Sequence, residues 1–354
     1  MPVDLAGTRA TAIREAVAAI AASASDPLEL LAESAERVRQ AVPFEGGAWM
    51  TCDPETVLPT GSVTFDAAPG LDEEFLRNEL FEPDLNKFAD LVRRGRLAAS
   101  LSEATDGQLE LSPRVTRIHH PRGFGDELRI CFRTPEGLWG GACVNRARDA
   151  GPFREDEVSY AASIGETVGR GLRRALAAQQ PEEDEVLTGT GMLVLAADGT
   201  VELSSGEADR WLRALPGGGY KLPIPIVGVA VQAHAREARG EGPPARARVR
   251  MPSGQWLLVH ASVLRDVDGA PTRTAVVLEP AERARITGLL LTLYGLTGRE
   301  REVAELLVRG LATDEVAARL TISRHTVRDH VKAIFAKAGV SSRPELTALI
   351  AGDA

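Results

Sequence analysis

The chain has 354 residues, is 44% hydrophobic and carries a formal net charge of −9. That length predicts two or three domains, and no apolar run approaches the roughly eighteen residues that a membrane-spanning helix needs. Three cysteines without a Cys-x-x-Cys pair argue against a zinc site or disulfide framework and fit a reducing cytoplasm, while the acidic balance and 5% aromatic content exclude a nonspecific polyanion binder and a base-stacking single-strand binder.

The opening Met1-Pro-Val-Asp-Leu-Ala lacks the basic start and apolar core of a signal peptide, so the protein is expected in the cytoplasm. Residues 1–25 read as an N-terminal helical extension. From 26 to 178 the pattern is a helix over 27–42, a strand over 47–51, helices over 71–80 and 84–93, two strands over 127–134 and 138–145, and a long helix over 155–176. That last helix places Val158, Ala161, Ile164, Val168 and Leu172 at helical spacing. Helix, antiparallel sheet and closing helix make an α+β sensory pattern. It resembles a GAF domain in the Trp139-Gly140 turn into a small-residue strand and in Phe153-x-x-Asp156-Glu157 at the last helix.

Residues 179–185, Gln-Gln-Pro-Glu-Glu-Asp-Glu, break the periodicity and read as an acidic linker. The stretch 186–281 opens with a strand at Gly191 to Leu195, an Asp198-Gly199 turn and a short helix around Ala208 and Trp211. It closes with strands over 245–251, 255–264 and 272–278. This order resembles a PAS domain. Ser204-Ser205-Gly206-Glu207 stands where the family usually has Asn, a departure from the cofactor-binding type. No cofactor is expected.

Several motifs are set aside. Asn86-Lys87-Phe88-Ala89-Asp90 looks like a cyclic-nucleotide signature compressed into one run, and is read as coincidence. His119 and His120, followed by Pro121, read as a loop, because neighbours on a strand would point apart and could not share a metal. His234 and His260 read as structural or surface residues. Gly217-Gly218-Gly219 reads as a turn, with no Lys-Ser/Thr helix after it to make a phosphate loop. Nucleophile elbow, kinase signature and receiver pattern are all missing, so an enzyme is not expected.

An apolar helix over 282–294 connects to the last segment, 295–354. There Thr297 and Glu300 form a capping box ahead of Val303, Leu306 and Leu307, with Gly310 as the stop. A second helix from Thr313 carries Asp314 and Glu315 in its first turn, where the helix dipole favours acids. Ser323 is an N-cap for a third helix with Val327, Val331, Ile334 and Phe335 on one face. At about 100° per residue, His325, Arg328 and Lys332 lie opposite, flanked by Arg324 and Asp329. Arg and Lys can bond a guanine edge and Asp can accept from cytosine, in a groove that admits one helix. The segment holds nine Lys/Arg against eight Asp/Glu, but residues 323–340 hold four against one. Its basic charge therefore belongs to the third helix.

This segment resembles the LuxR-type (GerE-like) helix-turn-helix domain, through Leu296-Thr297-x-Arg299-Glu300, Gly310, Glu315-Val316-Ala317, Ile322-Ser323, Thr326-Val327, His330, Lys337, Gly339-Val340 and Ser342-Arg343. Ala338 stands where the family usually has Leu. The resemblance implies a transcriptional regulator of double-stranded DNA in which Arg328, Asp329 and Lys332 contact bases. Ser323, Arg324, His325, Thr326, His330 and Lys337 would complete the interface. It further implies a homodimer that pairs through Leu346, Leu349 and Ile350 of a fourth helix, or a fourth helix that only lids the other three. The expected architecture is thus two α+β sensory domains, GAF-like and PAS-like, before an all-α four-helix output that answers to a small-molecule or protein signal. RNA polymerase is a further candidate partner. The alternatives are a sigma-like initiation factor, against which the front half lacks a basic, aromatic strand-opening region, and an enzyme with a scaffolding C-terminus.

Overall fold

The computed structural model describes residues 5, 7–65, 73–178, 186–215, 222–240 and 245–351. The expected acidic linker at 179–185 and the glycine run at 217–219 lie outside the described residues. The chain divides into a front unit, which reaches Pro280 with the hairpin tip Pro135–Gly137 apart, and a C-terminal unit from Ala281 to Ala354.

The front unit holds two five-stranded sheets. The first contains β1 (Gly46–Cys52), β2 (Pro59–Phe65), β3 (Ala98–Ser100), β4 (Phe124–Thr134) and β5 (Gly137–Ala147) in the order β2-β1-β5-β4-β3. Helices α1 (Thr8–Ser23), α2 (Pro27–Arg39), α3 (Glu73–Leu80), α4 (Phe88–Arg93), α5 (Leu101–Ala104) and α6 (Glu155–Ala178) surround it. The second contains β6 (Gly191–Leu195), β7 (Val201–Ser204), β8 (Ala245–Arg250), β9 (Trp256–Arg265) and β10 (Pro271–Pro280) in the order β7-β6-β10-β9-β8, with α7 (Gly206–Ala214) and α8 (Ile224–Arg239). Counted from its own first strand, each sheet runs 2-1-5-4-3. One strand order thus serves both front domains.

Local chemistry explains these elements. Asp26 caps α2 by accepting from the backbone N–H groups of Leu28 and Glu29, both at 2.8 Å, with Pro27 in the first helical position. Helix α6 lies close along β4 because its facing positions carry no side chain. A Cβ on Gly165 would stand 2.6 Å from the Cys131 carbonyl oxygen. The expected extension is no appendage: Tyr160 Oη on α6 donates to the Ala10 carbonyl at 3.1 Å, and Arg174 donates to that of Ala21 at 2.6 Å. The Phe153…Glu157 stretch earns its place similarly, since Glu157 and Arg146 form a buried two-point pair at 3.0 Å each and Arg146 stacks on Phe153.

Three expectations need correcting. Residues 84–93 do not form one helix. Only Phe88–Arg93 is helical, because Asp84 is drawn inward by Ser112 Oγ at 2.7 Å and the Arg114 backbone N–H at 3.0 Å. His119 and His120 sit in tight helical turns, not an open loop, and His119 is buried beside Glu127. The sixteen-residue helix α8 was not placed from sequence, nor was β2.

The domains of the front unit share cores. Leu58, between β1 and β2, is fully buried in the apolar cluster of the second sheet with Leu193, Trp211, Val249 and Val276. Beside it, Asp53 accepts from Arg248 through the backbone N–H at 2.9 Å and Nε at 2.8 Å, and from Nη2 at 2.5 Å. The three cysteines are buried small hydrophobes. Desolvation pushes the Cys131 thiol up to about 12, and raises those of Cys52 and Cys143 as well, so none is an available thiolate.

Candidate nucleic-acid interface

Among the described residues the C-terminal unit is five helices: α9 (Arg283–Leu293), α10 (Gly298–Val308), α11 (Thr313–Leu320), α12 (Arg324–Ala338) and α13 (Arg343–Ala351). The helix expected to connect is itself part of this bundle. Arg283 of α9 donates to the Leu349 carbonyl at 3.1 Å, and Arg301 of α10 donates to Thr292 Oγ1 at 2.8 Å.

The capping box forms as the sequence indicates. The Glu300 backbone N–H donates to Thr297 Oγ1 at 3.3 Å, and the Thr297 N–H donates to Glu300 Oε2 at 2.7 Å. Gly310 takes φ +87° just past α10. Helix α11 lacks a side-chain N-cap, because Ala312 holds that place. Glu315 compensates by accepting the Ala312 N–H at 2.6 Å. The turn that follows bends at Thr321, which adopts a left-handed φ of 55°. Ser323 then caps α12, accepting from the Thr326 N–H at 3.0 Å.

Helix α12 packs on α10 and α11, burying Val327 and Ile334 as those helices bury Val303, Leu307 and Val316, and leaves its other face bare. Arg324, His325, Arg328, Asp329 and Lys332 are exposed there, and Thr326 and His330 are half-buried. Not every charge on this face is free. Arg324 pairs with Asp314 at the start of α11, and His325 Nε2 lies 3.5 Å from Asp329 Oδ2 one turn along. Arg328 and Lys332 make no ion pair among the described residues. They sit four positions apart, on one side of the helix.

Other residues of the sequence pattern are bonded within the module. Lys337, expected at the flank, donates to Glu300 Oε2 at 2.7 Å. Burial would raise the Glu300 carboxyl, but this bond and those from Thr297 prevail and hold it below its usual range. Arg299 donates to the Leu320 carbonyl at 2.7 Å, and Arg343 to the Leu311 carbonyl at 3.0 Å and to Thr313 Oγ1 at 2.8 Å. Lys337 thus ties α12 to α10, Arg299 ties α10 to the end of α11, and Arg343 ties α13 to the start of α11. Leu346 and Ile350 are 1% exposed, so both are consumed by the module's own core, and of the proposed pairing residues only Leu349 is partly open. Sequence periodicity had put all three on one side without showing that α9 covers it.

Residues 295–350 match the family model for bacterial regulatory proteins of the luxR type. An HTH-type transcriptional regulator of Aeromonas salmonicida is 51% identical over 51 residues, which cover 14% of this chain and 26% of that relative. The spore germination protein GerE of Bacillus subtilis is 50% identical over 50 residues, covering 14% of this chain and 68% of that protein. Among solved structures, a bacteriophytochrome from R. palustris aligns over 77% of this chain and 63% of its own at 12% identity, with a TM-score of 0.31.

Proposed function

The chain belongs to the luxR family of bacterial regulatory proteins, and we propose that it is a sequence-specific regulator whose α12 enters the DNA major groove under the control of the two front domains. The exposed, unpaired Arg328 and Lys332 on an N-capped helix carry this reading. Arg328, Asp329 and Lys332 read base edges, while Ser323, Arg324, His325, Thr326 and His330 meet sugar and phosphate. Lys337 supports α12 through Glu300. One such helix spans few base pairs, so a homodimer on two half-sites supplies the necessary contact area. We read the sensory part as residues 26–178 and 186–281 and the output as 295–354. We place it in the cytoplasm, where a DNA-reading output meets its target; no helix among the described residues is long and apolar enough to cross a membrane.

Two experiments test the interface. A preferred duplex selected from random DNA with the full-length protein is compared with a scrambled duplex by gel shift. Arg328→Ala is expected to cost about 1–3 kcal/mol on the preferred duplex and little on the scrambled one. Unchanged preference would remove Arg328 from the reading set. Asp314→Ala is expected to release Arg324 to phosphate. The slope of log K against log salt should then steepen by about 0.9 for each module bound. An unchanged slope means that Arg324 meets no phosphate.

A further inference from the structure

The front unit contains a cavity of about 1410 Å³. Pockets for drug-sized ligands have volumes of roughly 300–1,000 Å³, so this one holds a small metabolite with room for water. Leu195, Val227, Ala230 and Val231 of the PAS-like domain form its apolar wall, and Phe81, just past α3 of the GAF-like domain, joins them across the space. Phe81 is 44% exposed, unusual for so large an apolar side chain.

Ten of the twenty-four lining residues are polar or charged, and most are already engaged, Glu74 with Arg122 at 4.0 Å. Glu73 pairs with Arg77 at 2.7 Å, Glu237 pairs with Arg265, and Asp198 accepts from the Thr200 N–H and hydroxyl. Thr274 is buried and shares a 2.8 Å hydrogen bond with His234 Nε2. Burial first, and Arg77 next, push the His234 imidazole down despite Glu73, so near neutral pH it is an uncharged hydrogen-bonding group. Arg213 is the lining cation with no partner among the described residues. A cavity with an apolar wall, carboxylates already bonded and one uncommitted guanidinium selects a molecule that is apolar along its body and anionic at one end.

We propose that this cavity binds a small amphipathic carboxylate, with its hydrocarbon body against α8 and Phe81 and its head at Arg213 and the His234–Thr274 pair. Such a ligand touches both front domains at once. The proposal deepens the reading of the front unit as the sensing part and rests on it.

The test uses the full-length protein with decanoate as probe and decanol as its neutral counterpart, each displacing the fluorescent dye anilinonaphthalene sulfonate. Decanoate is expected to displace the dye saturably and more strongly than decanol. Arg213→Ala should weaken decanoate by about tenfold, the loss of one charge-assisted hydrogen bond, and leave decanol unchanged. Val227→Trp, which fills the chamber from a half-buried wall position, should abolish saturable displacement. If it impairs folding, as read by far-ultraviolet dichroism, Thr274→Val replaces it and should weaken decanoate selectively. Equal decanoate affinity in wild type, Arg213→Ala and the cavity variant overturns the site, as does a wild type that binds none. Adding decanoate to the DNA gel shift separates the two readings: saturable binding with unchanged DNA affinity keeps the cavity site and removes front-unit control.

Discussion

Replacing Arg114 with alanine is expected to destabilise the protein by about 3–5 kcal/mol, the range for breaking a buried ion pair from one side. Arg114 is fully buried. Its Nε donates to Glu127 Oε2 at 2.9 Å, Nη1 to Asn78 Oδ1 at 2.8 Å and Nη2 to the Leu85 carbonyl at 3.1 Å. Glu127 is equally buried and also meets Arg129, whose Nη1 reaches Glu79 at 2.5 Å while its guanidinium lies over Phe75 and Phe88. Truncating Arg114 leaves the buried Glu127 with Arg129 at 3.3 Å as its one remaining guanidinium and takes a donor from Asn78. Denaturant unfolding followed by dichroism measures the loss, and a cost below 1 kcal/mol would mean that water replaces the guanidinium. Removing both charges, as Arg114→Leu with Glu127→Leu, should cost less than the two single changes together, because no charge is left alone.

The same cluster sets an acid limit. Burial alone would raise the Glu127 carboxyl, but Arg114 and Arg129 outweigh it and hold the group well below the usual range. A depressed folded value means stability that is complete above the unfolded carboxylate value, about 4.3. That stability is lost as pH falls below this value toward the folded one. The Arg114→Ala protein should therefore lose part of this contribution to its acid limb, with Arg129 left to oppose burial, while between pH 6 and 8 the wild-type stability should not respond to this carboxyl.

The second large effect lies where the front domains meet. Asp53→Ala leaves the Arg248 guanidinium, 7% exposed, with Glu55 alone at 2.8 Å, and orphans the Arg248 backbone N–H. About 3 kcal/mol is expected. Leu58→Ala opens a hole in the second sheet's core at about 2–5 kcal/mol. Wild type should show one calorimetric transition for the front unit. The double variant should show two, because the contacts that make the domains unfold together are gone. A single transition at a lower midpoint would show that α3 and α8 suffice to couple them.

Much of the output module was legible because its signals are local. The Thr297–Glu300 box, the Gly310 stop and the Ser323 cap each lie within a few residues of the partner they serve, and the apolar stripe of α12 has a fixed period. What the sequence hid is long-range. Asp53 and Arg248 are 195 positions apart, and Lys337 meets Glu300 across 37. No spacing rule pairs them, so Lys337 looked like one more cation free for DNA. Helix α8 was missed for a different reason. Its first half, Ile224-Pro-Ile-Val-Gly-Val-Ala-Val, is β-branched and continuously apolar, because it faces both domain cores at once, and this erases the one-sided stripe by which a helix is recognised. Arg114, Arg129 and Glu127 were passed over because charged residues on strands and turns usually face water.

The Leu58 contact also orders events in time. Domains generally fold as units during synthesis, the N-terminal one first. The loop that carries Leu58 leaves the ribosome well before β6 to β10, whose core it completes. The second sheet thus matures around a wedge supplied by its predecessor. The second domain expressed without the first would present a hole where that side chain belongs, and with it an exposed apolar surface open to aggregation.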